Sequence, residues 1–127
     1  MNDRYYFWGP LLYHSTVLNC DEILKDFKEG PSFNENLAGI LNYQFSYDPA
    51  VFKHHTYNNF KNFFSCYEMY YNKKLEYRDH RIESSWINFM KKGEFNPPHI
   101  HVGGQFSCVL YLDVPNELKE ENKKYKG

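Results

Sequence analysis

The sequence predicts a β-rich α+β chain, with a strand and helices first and β-structure concentrated towards the end. Three observations carry this. From about Pro49, aromatic residues recur at spacings of three and four, the period of a helix with one buried face. Residues 80–90 then switch to alternation, and residues 105–115 are apolar on both faces, as in a strand central to a sheet. At 127 residues the chain is one domain or part of one. A hydrophobic fraction of 42%, with 20% aromatic, is enough for a core.

In chain order, "FWGPLLYHSTVL" (7–18) reads as a strand entered through a Gly-Pro turn, rich in β-branched and aromatic residues. Asn19 and Glu22 make a capping-box-like helix start, with Ile23, Leu24 and Phe27 on one face and Gly30-Pro31 as the stop. "NLAGILNYQFSY" (36–47) reads as a strand interrupted at Gly39. The long helix follows, with Phe52, Phe60, Phe63, Phe64, Tyr67, Tyr70 and Tyr71 as a core stripe and Lys53, Asn59, Lys61, Asn62 and Lys73 opposite. "HRIESSWINFM" (80–90) places Ile82, Trp86 and Met90 on one side of a strand and Ile87 and Phe89 on the other. "KKGEFNPPH" is a turn whose double proline delivers an extended chain into His99. Beyond Pro115, "NELKEENKKYKG" reads as a charged tail or loop, which sets the expected division at 1–115 and 116–127.

Charge and composition narrow the function. A net charge of −1 leaves no basic footprint for nucleic acid or an anionic membrane, so the aromatic excess is core material rather than a stacking platform for bases. No apolar run approaches the roughly 20 residues of a membrane span, and "MNDRYYFWGP" lacks the pattern of a signal peptide. Cys20, Cys66 and Cys108 are odd in number, scattered and without a CxxC pair, which leads to the expectation of reduced thiols in a cytoplasm.

The chemistry concentrates at "NPPHIHVGG". Residues two apart on an extended strand share a face, so His99 and His101 project together while Ile100 and Val102 point the other way. Paired imidazoles suit a borderline metal such as Fe(II), Zn(II) or Mn(II), and Gly103-Gly104 allows close approach of backbone or ligand. Two alternating histidines are also compatible with half-exposed strand residues that bind nothing. Surface or packing roles are expected for His14, His54, His55 and His80. A histidine-triad hydrolase is excluded because Gly103 stands where the third histidine belongs. The first cupin motif is met in part: Gly93, five residues, then His99 and His101, but Gln105 replaces the acid and Leu112 the later glycine.

"SSWINFMKKGEFNPPHIHVGGQFSCVLYLDVP" (84–115) resembles the 2-oxoglutarate/Fe(II)-dependent oxygenases, a family with many phage and marine microbial members. Trp86, Asn88, Gly93, Asn96, Pro98, His99, His101, Ser107, Val109, Tyr111 and Pro115 fall on its pattern, and Cys108 stands where a small glycine is usual. The opening "FWGPLLYHSTV" is similar to the family's first strand. The resemblance implies a double-stranded β-helix, a cupin-like jelly roll with helices outside. It also implies Fe(II) and 2-oxoglutarate as cofactors. His99 is then the first metal ligand. His101 occupies the acidic ligand's place, which leaves it either a ligand or a support to one. Asn88 and Tyr111 would line the cofactor pocket from neighbouring strands, a place each could equally hold as barrel packing. No histidine follows His101 and no arginine follows Arg81, so the family's distal histidine and its carboxylate-binding base have no counterpart. The expectation is therefore the N-terminal part of a longer oxygenase, whose open sheet edges favour a homo-oligomer. The rival expectation is a non-catalytic metal-binding or assembly module of cupin type.

Overall fold

The computed structural model describes residues 4–6, 9–33, 39–76 and 79–125. Its elements are β1 (Arg4–Tyr6), β2 (Leu12–His14), α1 (Cys20–Asp26), β3 (Gln44–Ser46), α2 (Pro49–Tyr71), β4 (Trp86–Asn88) and α3 (Asn116–Tyr125). The fold class is α+β. Two antiparallel two-stranded sheets form among the described residues, β1 with β2 and β3 with β4.

The helix α2 is the spine, and its sequence says why. Asp48 caps it, its carboxylate accepting from the Ala50 amide at 2.8 Å, and Pro49 takes the first turn, where its missing N–H costs nothing. The helix ends at Asn72, which turns left-handed with φ 48°. The aromatic stripe expected from spacing packs as a core face. Phe64 is buried against Phe60, Phe63 and Phe106, and Phe63 meets Tyr13 of β2 at 5.7 Å. Further along, the Tyr70 hydroxyl donates to the Gly9 carbonyl at 2.6 Å, and the Tyr71 hydroxyl accepts from the Leu11 amide at 3.2 Å. The far end of α2 thus holds the turn into β2.

A short helix crosses the first half of α2. Ile23 of α1 is the most buried large side chain, at 2% exposure, and its carbonyl accepts from the Tyr47 hydroxyl at 3.0 Å. Burial, with the carboxylates of Asp26 and Asp48 nearby, pushes the Tyr47 phenol above its usual range. The α1 start differs from a capping box: Asn19 sits left-handed at φ 60° and makes no side-chain cap, while its carbonyl accepts from the Glu22 amide at 2.9 Å. Its last helical residue is Asp26, four residues before Gly30.

β3 and β4 form the platform for the histidine loop. Phe45 lies opposite Ile87, and the ladder extends through Tyr47 N–H to the Ser85 carbonyl and Phe89 N–H to the Tyr43 carbonyl, both at 2.9 Å. Residues 31–33 line the other edge of β3. Phe27 fills the space beneath, its ring 5.5 Å from Phe89 and 5.9 Å from Phe45.

Three expectations change. The strands expected over 7–18 and 36–47 begin at residues outside the described set, and within it only Leu12–His14 and Gln44–Ser46 form strands. Residues 105–115, expected as a central strand, make no strand among the described residues. Ile100 (85% exposed), Val102 (89%) and Tyr111 (77%) face outward. Residues 116–125, expected as tail or loop, are the helix α3, with Lys123 bonded to Glu120 at 2.7 Å one turn away. The whole chain exposes 10518 Å², against about 7200 Å² for a close-packed monomer of this mass. No helix among the described residues is long and apolar enough to cross a membrane.

His80 links α2 to β4 and makes a testable pH prediction. Its ring stacks on Phe60 at 4.4 Å, with Phe64 at 5.7 Å and Tyr57 at 6.1 Å, and neither nitrogen has a hydrogen-bond partner. Burial lowers its pKa, helped by Lys53, whose ammonium bonds both the His80 carbonyl and Asp79; the Asp79 charge pulls the other way. The unfolded chain therefore binds a proton that the folded one resists. Stability is full above about pH 6.5 and falls as pH drops from there towards the lower folded pKa, with a slope of at most about 1.4 kcal/mol per pH unit. His80→Phe fills the same aromatic box without polar nitrogens. It is expected to flatten the melting temperature between pH 6.5 and pH 5; an unchanged slope would assign the pH dependence elsewhere.

Candidate metal centre

The loop 93–98 is pinned to the strand platform before it reaches the histidines. Ile40 N–H donates to the Phe95 carbonyl at 3.2 Å. The Glu94 carboxylate accepts from the Lys91 backbone amide at 2.7 Å and from the Asn42 side-chain amide at 2.6 Å, bonds that hold its pKa below the usual carboxylate value. Gly39, at φ +119°, lets the loop lie close: a Cβ there would stand 2.6 Å from the Phe95 carbonyl and 2.9 Å from Pro97 Cδ. Pro97 and Pro98 then leave His99 and His101 exposed on the outer surface.

The structure brings these two residues together without a strand. Nε2 of His99 and Nε2 of His101 are 3.1 Å apart, with the rings at 72°. The other nitrogen of His99, Nδ1, lies 2.8 Å from the Pro97 carbonyl. A carbonyl only accepts, so Nδ1 carries the hydrogen and Nε2 presents its lone pair. His101 then donates from its own Nε2 across the 3.1 Å gap. Trp86 of β4 flanks the pair, 5.8 Å from the His101 ring.

These residues fit part of a metal shell. With metal–nitrogen bonds of about 2.05 Å, two ligands stand about 2.9 Å apart at a right angle and about 3.3 Å apart at the tetrahedral angle. The observed gap of 3.1 Å lies between. A backbone carbonyl fixing the distal nitrogen is also the usual support of a ligating imidazole. A complete shell is a different matter. Among the described residues, no three of His, Cys, Asp and Glu converge to hold an ion, so the three-ligand set of a ferrous oxygenase is not assembled.

The two cofactor-pocket candidates stay apart from the pair. Asn88 is half-buried in β4, and its Oδ1 is shielded from solvent without a hydrogen-bond partner. Tyr111 is exposed in an irregular segment rather than on a strand beside Asn88. No hydrogen bond or ring contact among the described residues joins either to the histidines.

Sequence reasoning missed a polar cleft of about 280 Å³ lined by Thr16, Leu18, Glu22, His54, His55 and Asn59, among others. His55 is held there by Asp26 at 2.8 Å, and Asn59 bonds Ser15 and the Thr16 carbonyl. The acidic partner lies 29 residues away in sequence, so no local motif signals it.

Fold and site together define an α+β chain that presents a pre-arranged pair of imidazoles on a pinned loop. A family model described as "Putative 2OG-Fe(II) oxygenase" matches residues 84–126, so this region is similar to that family. No curated protein and no solved structure matches the chain.

Proposed function

We propose that residues 84–126 are the metal-holding region of a 2-oxoglutarate- and Fe(II)-dependent oxygenase built on a double-stranded β-helix. The observation that carries this reading is the coincidence of the family match with two imidazole nitrogens 3.1 Å apart. His99 and His101 are the ligands this chain supplies, and the Pro97 carbonyl holds His99 in the tautomer that presents Nε2. Asn88, two residues beyond Trp86 on β4, would orient a cofactor carboxylate through its amide N–H. Tyr111 would join it only after residues 105–115 add to a sheet. When bound, iron and 2-oxoglutarate supply oxidation of a substrate coupled to loss of CO₂.

Wild-type protein is expected to bind Fe(II) in anaerobic titration and, once a third ligand completes the shell, to release succinate from 2-oxoglutarate; His99→Ala is expected to lose both. Equal iron binding by the variant would sink the assignment. A non-catalytic metal-binding module is the second reading, favoured by the two-ligand count among the described residues. Iron bound through His99 with no succinate formed would select it.

A further inference from the structure

We propose that the cleft between α1 and the first half of α2 binds a primary ammonium group, carried by a small alkylamine or by a lysine side chain. This site is separate from the histidine pair and does not rest on the oxygenase reading. What carries it is a set of hydrogen-bond acceptors lining one cleft, for which the described residues supply no donor.

His55 is the fixed part of the site. Its side chain is only 8% exposed, and its Nε2 lies 2.8 Å from a carboxylate oxygen of Asp26. A carboxylate only accepts, so Nε2 carries the hydrogen and Nδ1 of the neutral ring keeps its lone pair. No hydrogen bond among the described residues uses Nδ1. Nδ1 is not sealed from solvent either, and the cleft is the opening that His55 lines. Asn59 reaches a similar end by another route. Its amide nitrogen donates to the Ser15 hydroxyl at 2.8 Å and to the Thr16 carbonyl at 3.0 Å. Both hydrogens are then used, and Oδ1 is what remains to offer a ligand. Glu22 adds a carboxylate whose oxygens take no hydrogen bond or ion pair from the described residues.

Three acceptors, one of them charged, define the chemistry of the occupant. Among the described residues no lysine or arginine lines the cleft to answer them. A primary ammonium has three hydrogens and no lone pair, so it can satisfy all three acceptors. Glu22 supplies the counter-charge, and hydrogen bonds of that charge-assisted kind are the strong ones. A carboxylate or phosphate would instead set acceptors against acceptors and like charge against Glu22. Leu18, exposed beside these groups, gives apolar surface to a methylene chain. At about 280 Å³ the cleft falls below the usual range for a drug-sized ligand, about 300–1,000 Å³, which suits a short amine or the end of one side chain.

The test is a nitrogen–proton NMR titration of the full chain with 1,4-diaminobutane and, in parallel, with Nα-acetyl-lysine amide. Butane-1,4-diol, of the same length and uncharged, is the control. The expected result is saturable shifts in the backbone amides of residues 16–22 and 54–59 with an amine, and none with the diol. Shifts with the diamine alone identify a free amine as the source; shifts with the lysine derivative identify a protein side chain. Glu22→Gln, at an exposed position, should weaken binding at least about tenfold. Glu29→Gln, an exposed acid outside the cleft, should leave it unchanged. His99→Ala should bind the amine as the wild type does, which keeps this outcome apart from that of the oxygenase assignment. No saturable shift with either amine, equal shifts with the diol, shifts centred outside the cleft, or full affinity in Glu22→Gln would each overturn the proposal.

Discussion

Gly39→Ala is expected to lower stability by about 2–5 kcal/mol and to weaken metal binding at a site it does not touch. Two costs add. The backbone at φ +119° is one that side chains rarely adopt, and the new Cβ would fall 2.6 Å from the Phe95 carbonyl and 2.9 Å from Pro97 Cδ. The first partner is backbone and the second a ring locked by its own φ, so neither yields by a rotamer change. Relief requires the 95–97 segment to retreat, which breaks the Ile40–Phe95 hydrogen bond and moves the carbonyl that fixes His99. Gly93→Ala is the control: φ is +86° there too, but nothing lies within 4 Å of the added carbon. The difference between the two variants in thermal melts isolates the steric contact from backbone strain. Equal losses in both would mean that the close approach carries no weight, and metal binding unchanged in Gly39→Ala would detach the histidines from the pinned loop.

The pinning is also what the sequence conceals. The α2 helix was legible because its signals are local: an acidic cap, a proline at the first turn, and aromatics at helical spacing. The side-by-side placement of His99 and His101 was legible too, since a spacing of two suggests a shared face. The actual convergence comes from a loop fixed by Ile40, Asn42 and Glu94, whose bonds span about fifty residues of sequence. Residues 105–115 show the opposite failure. Their composition states a β preference, but a strand exists only where another strand pairs with it, and pairing is non-local. Without a partner strand the segment packs piecemeal: the Phe106 ring lies 5.0 Å from Phe63 and 5.4 Å from Tyr67, and Leu110, Leu112 and Val114 are half-buried. The helix α3 departs from the tail or loop that its low apolar content suggests because its Glu, Lys and Leu residues are strong helix formers.

Phe64→Ala is expected to cost about 3–5 kcal/mol, the largest loss from any single truncation on α2. Among the described residues few large side chains are buried: Ile23, Leu41, Tyr47, Phe64 and Ile87 make up the buried hydrophobic set. Phe64 stands where three parts of the chain meet. It touches Phe60 and Phe63 of its own helix, the His80 ring from the segment leading to β4, and Phe106 from the loop beyond the histidines. Truncation therefore opens a cavity that rigid aromatic neighbours fill poorly, and the cost sits at the upper part of the usual range for that reason. Set against a total of about 5–15 kcal/mol for a domain of this kind, that is a third or more of the stability. Met69→Ala on the same helix, at 63% exposure, should change stability by no more than about 0.5 kcal/mol. Urea denaturation followed by circular dichroism checks both. Phe64→Ala should lower the midpoint sharply and also loosen Phe106 by removing one of its three ring contacts, so that proteolysis between residues 99 and 112 quickens. A midpoint within error of wild type would show that Phe64 does not carry the core, and unchanged proteolysis would show that Phe63 and Tyr67 alone hold Phe106.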